Sequence, residues 1–106
     1  MYAVSIRAQI KDGRIEELKE FIKNDALPRL EVPGMISIGF FSPDPNINLG
    51  MAFLESKEAA EIFAEERNKN LAVMADVFVS FPKVVEGEIT LGKMYQDRAA
   101  NDNEEA

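Results

Sequence analysis

One stretch decides the fold: Leu49-Gly50-Met51-Ala52-Phe53-Leu54. Side chains alternate between the two faces of a sheet along a strand, so the odd-numbered residues share one face and the even-numbered residues share the other. Neither set contains a polar side chain. A strand of this kind belongs to a sheet whose two faces are both covered. One cover is expected to be the helices of the same chain, and the other a second copy of the sheet.

The segments on either side supply the rest of the sheet and the helices. Alternation predicts a first strand over Tyr2–Ile10 and a second over Met35–Ser42. An amphipathic pattern predicts a helix from Ile15 that Pro28 interrupts or closes. Ser56 is placed as the N-cap of a second helix, which is expected to fade near residues 68–70.

The segment 71–81 is ambiguous. Leu71, Met74, Phe78 and Phe81 fit a helix, whereas alternation at Val77, Val79 and Phe81 fits a strand. Residues 83–94 are extended in character and predict the last strand. The resulting order, β-α-β-β-α-β, is that of a ferredoxin-like α+β domain with an antiparallel sheet.

Length and composition limit the possibilities further. The 106 residues suffice for one domain, expected over residues 1–95, and the polar, acidic residues 96–106 predict a disordered tail. The net charge of −7 without a basic cluster argues against a nucleic-acid partner. The absence of cysteine fits a reducing compartment, and no stretch has the length and apolar character of a membrane span or signal peptide, so a cytoplasmic protein is expected.

Three segments carry a family resemblance: the turn Lys11-Asp12-Gly13, the stop Val32-Pro33-Gly34, and the serine-capped Phe53-Leu54-Glu55-Ser56-Lys57-Glu58-Ala59-Ala60. With the element order, they make residues 2–94 resemble the antibiotic biosynthesis monooxygenase family. The resemblance implies a dimeric α+β barrel, in which two sheets pack face to face in a homodimer. It also implies a further helix before the last strand, which favours helix over strand for 71–81.

The resemblance also implies a function. Relatives that degrade haem use a histidine and a tryptophan, and this chain has neither, so that chemistry is disfavoured. A cofactor-independent monooxygenase acting on a small apolar or aromatic compound is the first hypothesis. The alternatives are a non-catalytic module that binds or senses a small molecule, and a bare dimerisation domain. No cofactor is expected, and no metal either, since residues 44–55 match a calcium loop only in part.

Two sets of residues are candidates for function. The first is expected to bind a ligand and combines polar groups with large apolar ones: Ser5, Arg7, Ser37, Phe41, Met74, Phe78 and Phe81. Arg7 is expected to project into a cavity closed by Phe78 and Phe81 and to supply positive charge; alternatively, it is an exposed cation paired with a carboxylate of a neighbouring strand. The second set is expected at the dimer interface: Met51, Ala52 and Phe53.

Overall fold

The computed structural model describes residues 1–92. The strands are β1 (Tyr2–Gln9), β2 (Met35–Asp44), β3 (Ile47–Leu54) and β4 (Lys83–Glu88). The helical segments are α1 (Ile15–Phe21), a π-helical turn (Ile22–Ala26), α2 (Leu27–Leu30), α3 (Lys57–Val73) and a 3₁₀ turn (Ala75–Val77). The predicted tail 96–106 and the end of the predicted last strand lie outside the described residues.

The four strands form one antiparallel sheet in the order β2-β3-β1-β4. The central pair is β1 and β3, in which Ser5 lies opposite Met51, and Ser5 also lies opposite Val85 on β4. The element order and the strand order are those of the ferredoxin-like α+β fold, which confirms the fold class predicted from the sequence.

The helices cover one face of this sheet. The side chains that β1 and β3 direct toward them include Val4, Ala52 and Leu54, all at most 3% exposed. They pack against Ala26, Leu30 and Phe63 in one core cluster. A second cluster joins the end of β1 to α1 and the 3₁₀ turn through Ile10, Leu18 and Val77. The alternation read from β1 and β3 is therefore confirmed on this face.

Pro28 does not end the first helical segment. A proline inside a helix removes one hydrogen bond and crowds the carbonyl one turn earlier. Here the turn just before it is π-helical, and the amide of Leu27 donates to the carbonyl of Ile22. This wider turn accommodates the ring, and the chain continues as α2 to Leu30.

Several boundaries differ from the prediction, by one or two residues at β1, β2 and β3 and by more elsewhere. The helix α3 begins after its Ser56 cap, as expected, but extends to Val73. Segment 71–81 is neither a full helix nor a strand, because the 3₁₀ turn follows α3 and Phe78 makes a single bridge to Ile10. The last strand stops at Glu88. Within the described part of the chain, no helix is long and apolar enough to cross a membrane.

Candidate functional site

A cavity of about 70 Å³ lies between the sheet and the helices. Its walls come from the inward face of the sheet, the α1–π–α2 segment and α3, and nearly all are apolar. They include Val4, Ile6, Ala8, Phe21, Ile22, Ala26, Ile38, Phe40, Gly50, Phe63, Leu71, Met74 and Phe78. Three polar residues also line it: Asn48, Arg67 and Asn70. An apolar cavity with a few convergent polar groups is the usual form of a small-molecule site.

Arg67 is the charged member of this lining among residues 1–92. Its side chain is 12% exposed, and its Cζ lies 5.9 Å from the centre of the Phe63 ring, within the range of a cation–π contact. Atoms Nε and Nη1 are buried, and no group of residues 1–92 is their hydrogen-bond partner. Nη1 lies 3.7 Å from Oε2 of Glu86 on β4, which is an ion pair but too long for a hydrogen bond. The guanidinium therefore retains unused donors.

The two asparagines are more than 90% buried. Asn70 donates from Nδ2 to the carbonyl of Glu66 at 2.7 Å, while its Oδ1 is buried and has no hydrogen-bond partner in the described part of the chain. On β3, Oδ1 of Asn48 accepts a hydrogen bond from Ser42 Oγ at 3.1 Å. Buried polar groups in proteins are normally paired, so unpaired atoms beside a cavity identify a place where a ligand can supply the missing partners.

Gly50 shapes the sheet wall of the cavity. A Cβ at this position would lie 2.7 Å from Cε1 of Phe40 and 2.8 Å from Cγ2 of Ile6. Phe40 lies directly opposite Gly50 on β2. The missing side chain leaves room for the aromatic ring to lie against the strand, and that position of the ring keeps the space above the sheet open.

The structure divides the predicted ligand-binding residues between different surfaces. Met74 and Phe78 line the cavity and are 8% and 6% exposed. Phe81 is 70% exposed and is not among the cavity residues. Arg7 lies on the sheet face turned away from the helices, so it does not project into a cavity with Phe78, contrary to expectation. No ion pair of Arg7 occurs within residues 1–92, where its strand neighbours are Leu49 and Lys83.

The face turned away from the helices, called the open face below, holds the remaining predicted residues. It is a broad concave surface that includes Ser5, Arg7, Ser37, Phe41, Leu49, Met51, Phe53, Lys83 and Val85. Three large apolar side chains are at least half exposed there: Phe41 at 64%, Met51 at 50% and Val85 at 60%. Ala52 is 2% exposed against the helices, so it does not belong with Met51 and Phe53 on this face.

The sequence interpretation missed the three polar residues of the cavity. The signal was present on α3, where Phe63, Arg67, Asn70 and Met74 recur at spacings of three and four and thus share one side of the helix. Two polar residues within an otherwise apolar stripe are unusual in a helix that only packs. The strand predicted from Leu49 leaves Asn48 outside the sheet, whereas β3 begins at Ile47.

Residues 1–92 contain no candidate metal site, because no three His, Cys, Asp or Glu side chains among them lie close enough together to hold an ion. At Asp44, Oδ1 accepts from the amide of Asn46, and Asn46 Nδ2 in turn donates to the carbonyl of Ile10 and to Asp12. These bonds hold a tight turn between β2 and β3.

At the level of sequence, no family model and no curated protein matches the chain. Solved structures do match. A putative antibiotic biosynthesis monooxygenase from Nitrosomonas europaea superposes with a TM-score of 0.71 at 19% identity, over 86% of this chain and 100% of that one. The monooxygenase of the ActVA-Orf6 gene of Streptomyces coelicolor, solved with the ligand nanaomycin D, gives 0.70 at 19% identity over 88% and 90%.

The chain has the fold of the antibiotic biosynthesis monooxygenases. SnoaB of Streptomyces nogalater, described as a cofactor-independent oxygenase, shares this fold with a TM-score of 0.70 at 9% identity, over 86% of this chain and 94% of that one. At such identities the likeness concerns the fold. It confirms the resemblance drawn from the three sequence segments.

Proposed function

We propose that this protein is a homodimeric, cofactor-independent monooxygenase that oxidises a small apolar or aromatic compound in the cavity between the sheet and the helices. The observation that carries the proposal is the cavity itself, with apolar walls and the unpaired donors of Arg67. Two proteins of the same fold are described as a monooxygenase and a cofactor-independent oxygenase, which supports this choice among the activities such a cavity allows.

The reaction needs little from the protein beyond a shaped, dry site. An electron-rich substrate with an acidic C–H loses that proton, and the carbanion gives one electron to dioxygen. The radical pair then combines to a hydroperoxide, which loses water to leave a carbonyl. The peroxide anion formed on combination regains the proton lost in the first step, one oxygen atom enters the product and the other leaves as water, and oxidation of the CH₂ carbon to a carbonyl supplies all four electrons that dioxygen accepts. A cation beside the substrate favours the ionised form that starts the sequence.

Oxygen uptake with a graded set of substrates tests the proposal. Ring compounds with an activated CH₂ group, from one-ring cyclic 1,3-diketones to three-ring anthrones, are incubated with the protein, and oxygen consumption and products are measured. We expect one molecule of oxygen consumed for each carbonyl formed, with the smaller compounds favoured. Binding without oxygen uptake would contradict the proposal and support the binding-module alternative.

A matched pair of variants on α3 ties any activity to the cavity. Leu71 lines the cavity, whereas Val73 is 61% exposed on the same helix. Leu71→Trp fills the space and should lower turnover at least tenfold, while Val73→Trp should leave it unchanged. Circular dichroism and melting temperatures verify that both variants fold. Equal turnover in the two folded variants would place the reaction elsewhere.

The open face supports the homodimer. It presents Phe41 on the edge strand β2, Met51 on the central strand β3 and Val85 on the edge strand β4, and no helix of residues 1–92 covers them. A contiguous apolar surface of several hundred Å² is uncommon on a monomer and marks an interaction site. A second sheet of the same shape is the simplest partner, since a twofold axis brings each patch against its own copy.

Light scattering at micromolar concentration tests the dimer. Met51→Lys puts a charge at the centre of the open face and should shift the mass toward that of one chain, because an unpaired buried charge is costly. Ile62→Lys is the control: Ile62 is 47% exposed on α3, close to the 50% of Met51. A native protein with the mass of one chain, or a Met51→Lys variant that stays dimeric, would refute this assembly.

A further inference from the structure

We infer that the cavity binds a one-ring compound carrying an oxyanion for Arg67 and, next to it on the ring, a hydrogen-bond donor for Asn70, as in an ortho-hydroxybenzoate. The inference deepens the proposed function, because it names the class of compound held in the same cavity. It rests on that proposal for the location of the site, while the charge, the donor and the size each follow from separate observations.

The buried guanidinium of Arg67 determines that the ligand must carry a negative charge. Burial of a cation costs free energy unless an anion and hydrogen bonds compensate for lost water. The anion near Arg67 in the described structure is Glu86, which stands 3.7 Å from Nη1 and is 42% exposed, so it satisfies the guanidinium only in part. Nε and Nη1 remain unpaired. An oxyanion in the cavity supplies both the missing charge and the missing acceptors.

The free atom of Asn70 determines that the ligand must carry a hydrogen-bond donor. Its Nδ2 is held by the carbonyl of Glu66 at 2.7 Å, which fixes the orientation of the amide, since the opposite orientation would bring two oxygens together. The free atom is therefore Oδ1, an acceptor, and its partner must be a donor. Arg67 and Asn70 are three residues apart on α3 and so are neighbours on one side of the helix. The oxyanion and the donor must then be neighbours on the ligand.

The size follows from the cavity. A buried water needs roughly 10–15 Å³ of comparable space, and the cavity measures about 70 Å³. A cavity of about 150 Å³ holds benzene, so even a single six-membered ring with short substituents requires the walls to give way, and a fused polycyclic compound would require a much larger movement. The ring would lie among Phe40, Phe63 and Leu71, whose apolar surfaces suit it.

Calorimetric titration of the native protein at about pH 6, where carboxylates are ionised, tests the inference with three probes. 2-Hydroxybenzoate has both features, and its hydroxyl must turn from its own carboxylate to Oδ1 of Asn70 as Arg67 takes over the carboxylate; 2-hydroxybenzamide replaces the anion with a neutral amide, and 2-methoxybenzoate removes the donor. We expect 2-hydroxybenzoate to bind at least tenfold more tightly than either of the others. Equal affinity for 2-hydroxybenzoate and 2-hydroxybenzamide overturns the charge assignment, and absence of binding by 2-hydroxybenzoate overturns the whole inference.

Variants assign the two contacts. Arg67→Met should bring the affinities for 2-hydroxybenzoate and 2-hydroxybenzamide within about twofold, while Arg67→Lys, which keeps the charge, should retain part of the preference. Arg7→Met is the control, since Arg7 lies on the open face. Asn70→Ala should abolish the preference for hydroxy over methoxy, and Asn68→Ala, at an exposed position of the same helix, should not. Retained preferences in folded Arg67→Met or Asn70→Ala would refute the corresponding contact.

The two proposals fail separately. Oxygen uptake with neutral substrates and no preference for the anion would leave the proposed oxygenase in place and refute the ligand class. Anion-selective binding that depends on Arg67, without oxygen uptake by any substrate, would retain the ligand class and refute the oxygenase.

Discussion

Gly50→Ala tests how the sheet shapes the cavity. The added methyl carbon would stand 2.7 and 2.8 Å from two atoms of the Phe40 ring and 2.8 Å from Ile6 Cγ2. Carbon atoms in ordinary contact are about 3.5 Å apart or more, so the neighbours must give way by roughly 0.8 Å. Phe40 is on the opposite strand and borders empty space, so its ring is the group that moves, and it moves into the cavity.

The size of the effect can be worked out from two opposing contributions. Overpacking of a well-packed site costs about 1–3 kcal/mol. Replacing glycine with alanine also restricts the unfolded chain and returns about 0.4–1 kcal/mol where the backbone tolerates a side chain. Gly50 is not among the glycines with positive φ, so the backbone adds no strain. The net loss of stability is therefore about 1–2 kcal/mol, or roughly 4–15 °C in Tm.

Urea denaturation and calorimetric titration with 2-hydroxybenzoate measure the two consequences. Gly50→Ala should unfold at lower urea and bind the probe at least tenfold more weakly, because the ring occupies its place. Gly87→Ala is the matched control, since a Cβ there meets no atom within 4 Å. An unchanged urea midpoint and unchanged affinity in Gly50→Ala would refute the steric reasoning.

Three further predictions concern the frame around the site. Ser56→Ala removes the Oγ that caps α3 at 3.1 Å and should cost about 1 kcal/mol in urea unfolding, whereas Ser56→Asp, which can still cap, should not. Gly34→Ala should lower the urea midpoint more than Gly13→Ala does. Both glycines have positive φ, but only at Gly34 would the added Cβ meet another atom, the Cβ of Ala59 at 2.7 Å. Equal losses of stability would contradict this. A hydrogen bond from Arg14 lowers the pKa of Asp76 below its ordinary value of 3.8. The native protein should therefore have a higher free energy of unfolding than Asp76→Asn above pH 3.8, and this difference should shrink as the pH falls through the lowered pKa. A difference that grows in acid would refute this.

Much of the fold could be predicted from local pattern. β1 alternates and β3 is apolar on both faces, and the structure places the even-numbered residues of both strands under the helices. The cap at Ser56 was also visible because capping depends on a single side chain. Segment 71–81 could not be assigned, since its structure depends on where Phe78 meets Ile10, which is far away along the chain. Periodicity carries no information about such distant contacts.

The site was harder to predict than the fold, and for a physical reason. The sequence offers Arg7 as a source of positive charge on the first strand, but an odd position on β1 belongs to the open face. Arg67 was overlooked because charged residues are common on exposed helix faces. Only the packing of α3 against the sheet, with Phe63 beneath the guanidinium, reveals that this arginine is turned inward.

The strand that decides the fold also separates the two proposed roles of the protein. Gly50 and Ala52 of β3 lie on the side of the helices, while Met51 and Phe53 lie on the open face, although Met51 also borders the cavity and Gly50 the open face. Because neighbouring residues on a strand point in opposite directions, each surface can be altered without removing a side chain from the other. Met51→Lys should therefore weaken association first, and Gly50→Ala should weaken ligand binding first. If each variant disturbed both properties equally while remaining folded, the two surfaces would have to act as one site.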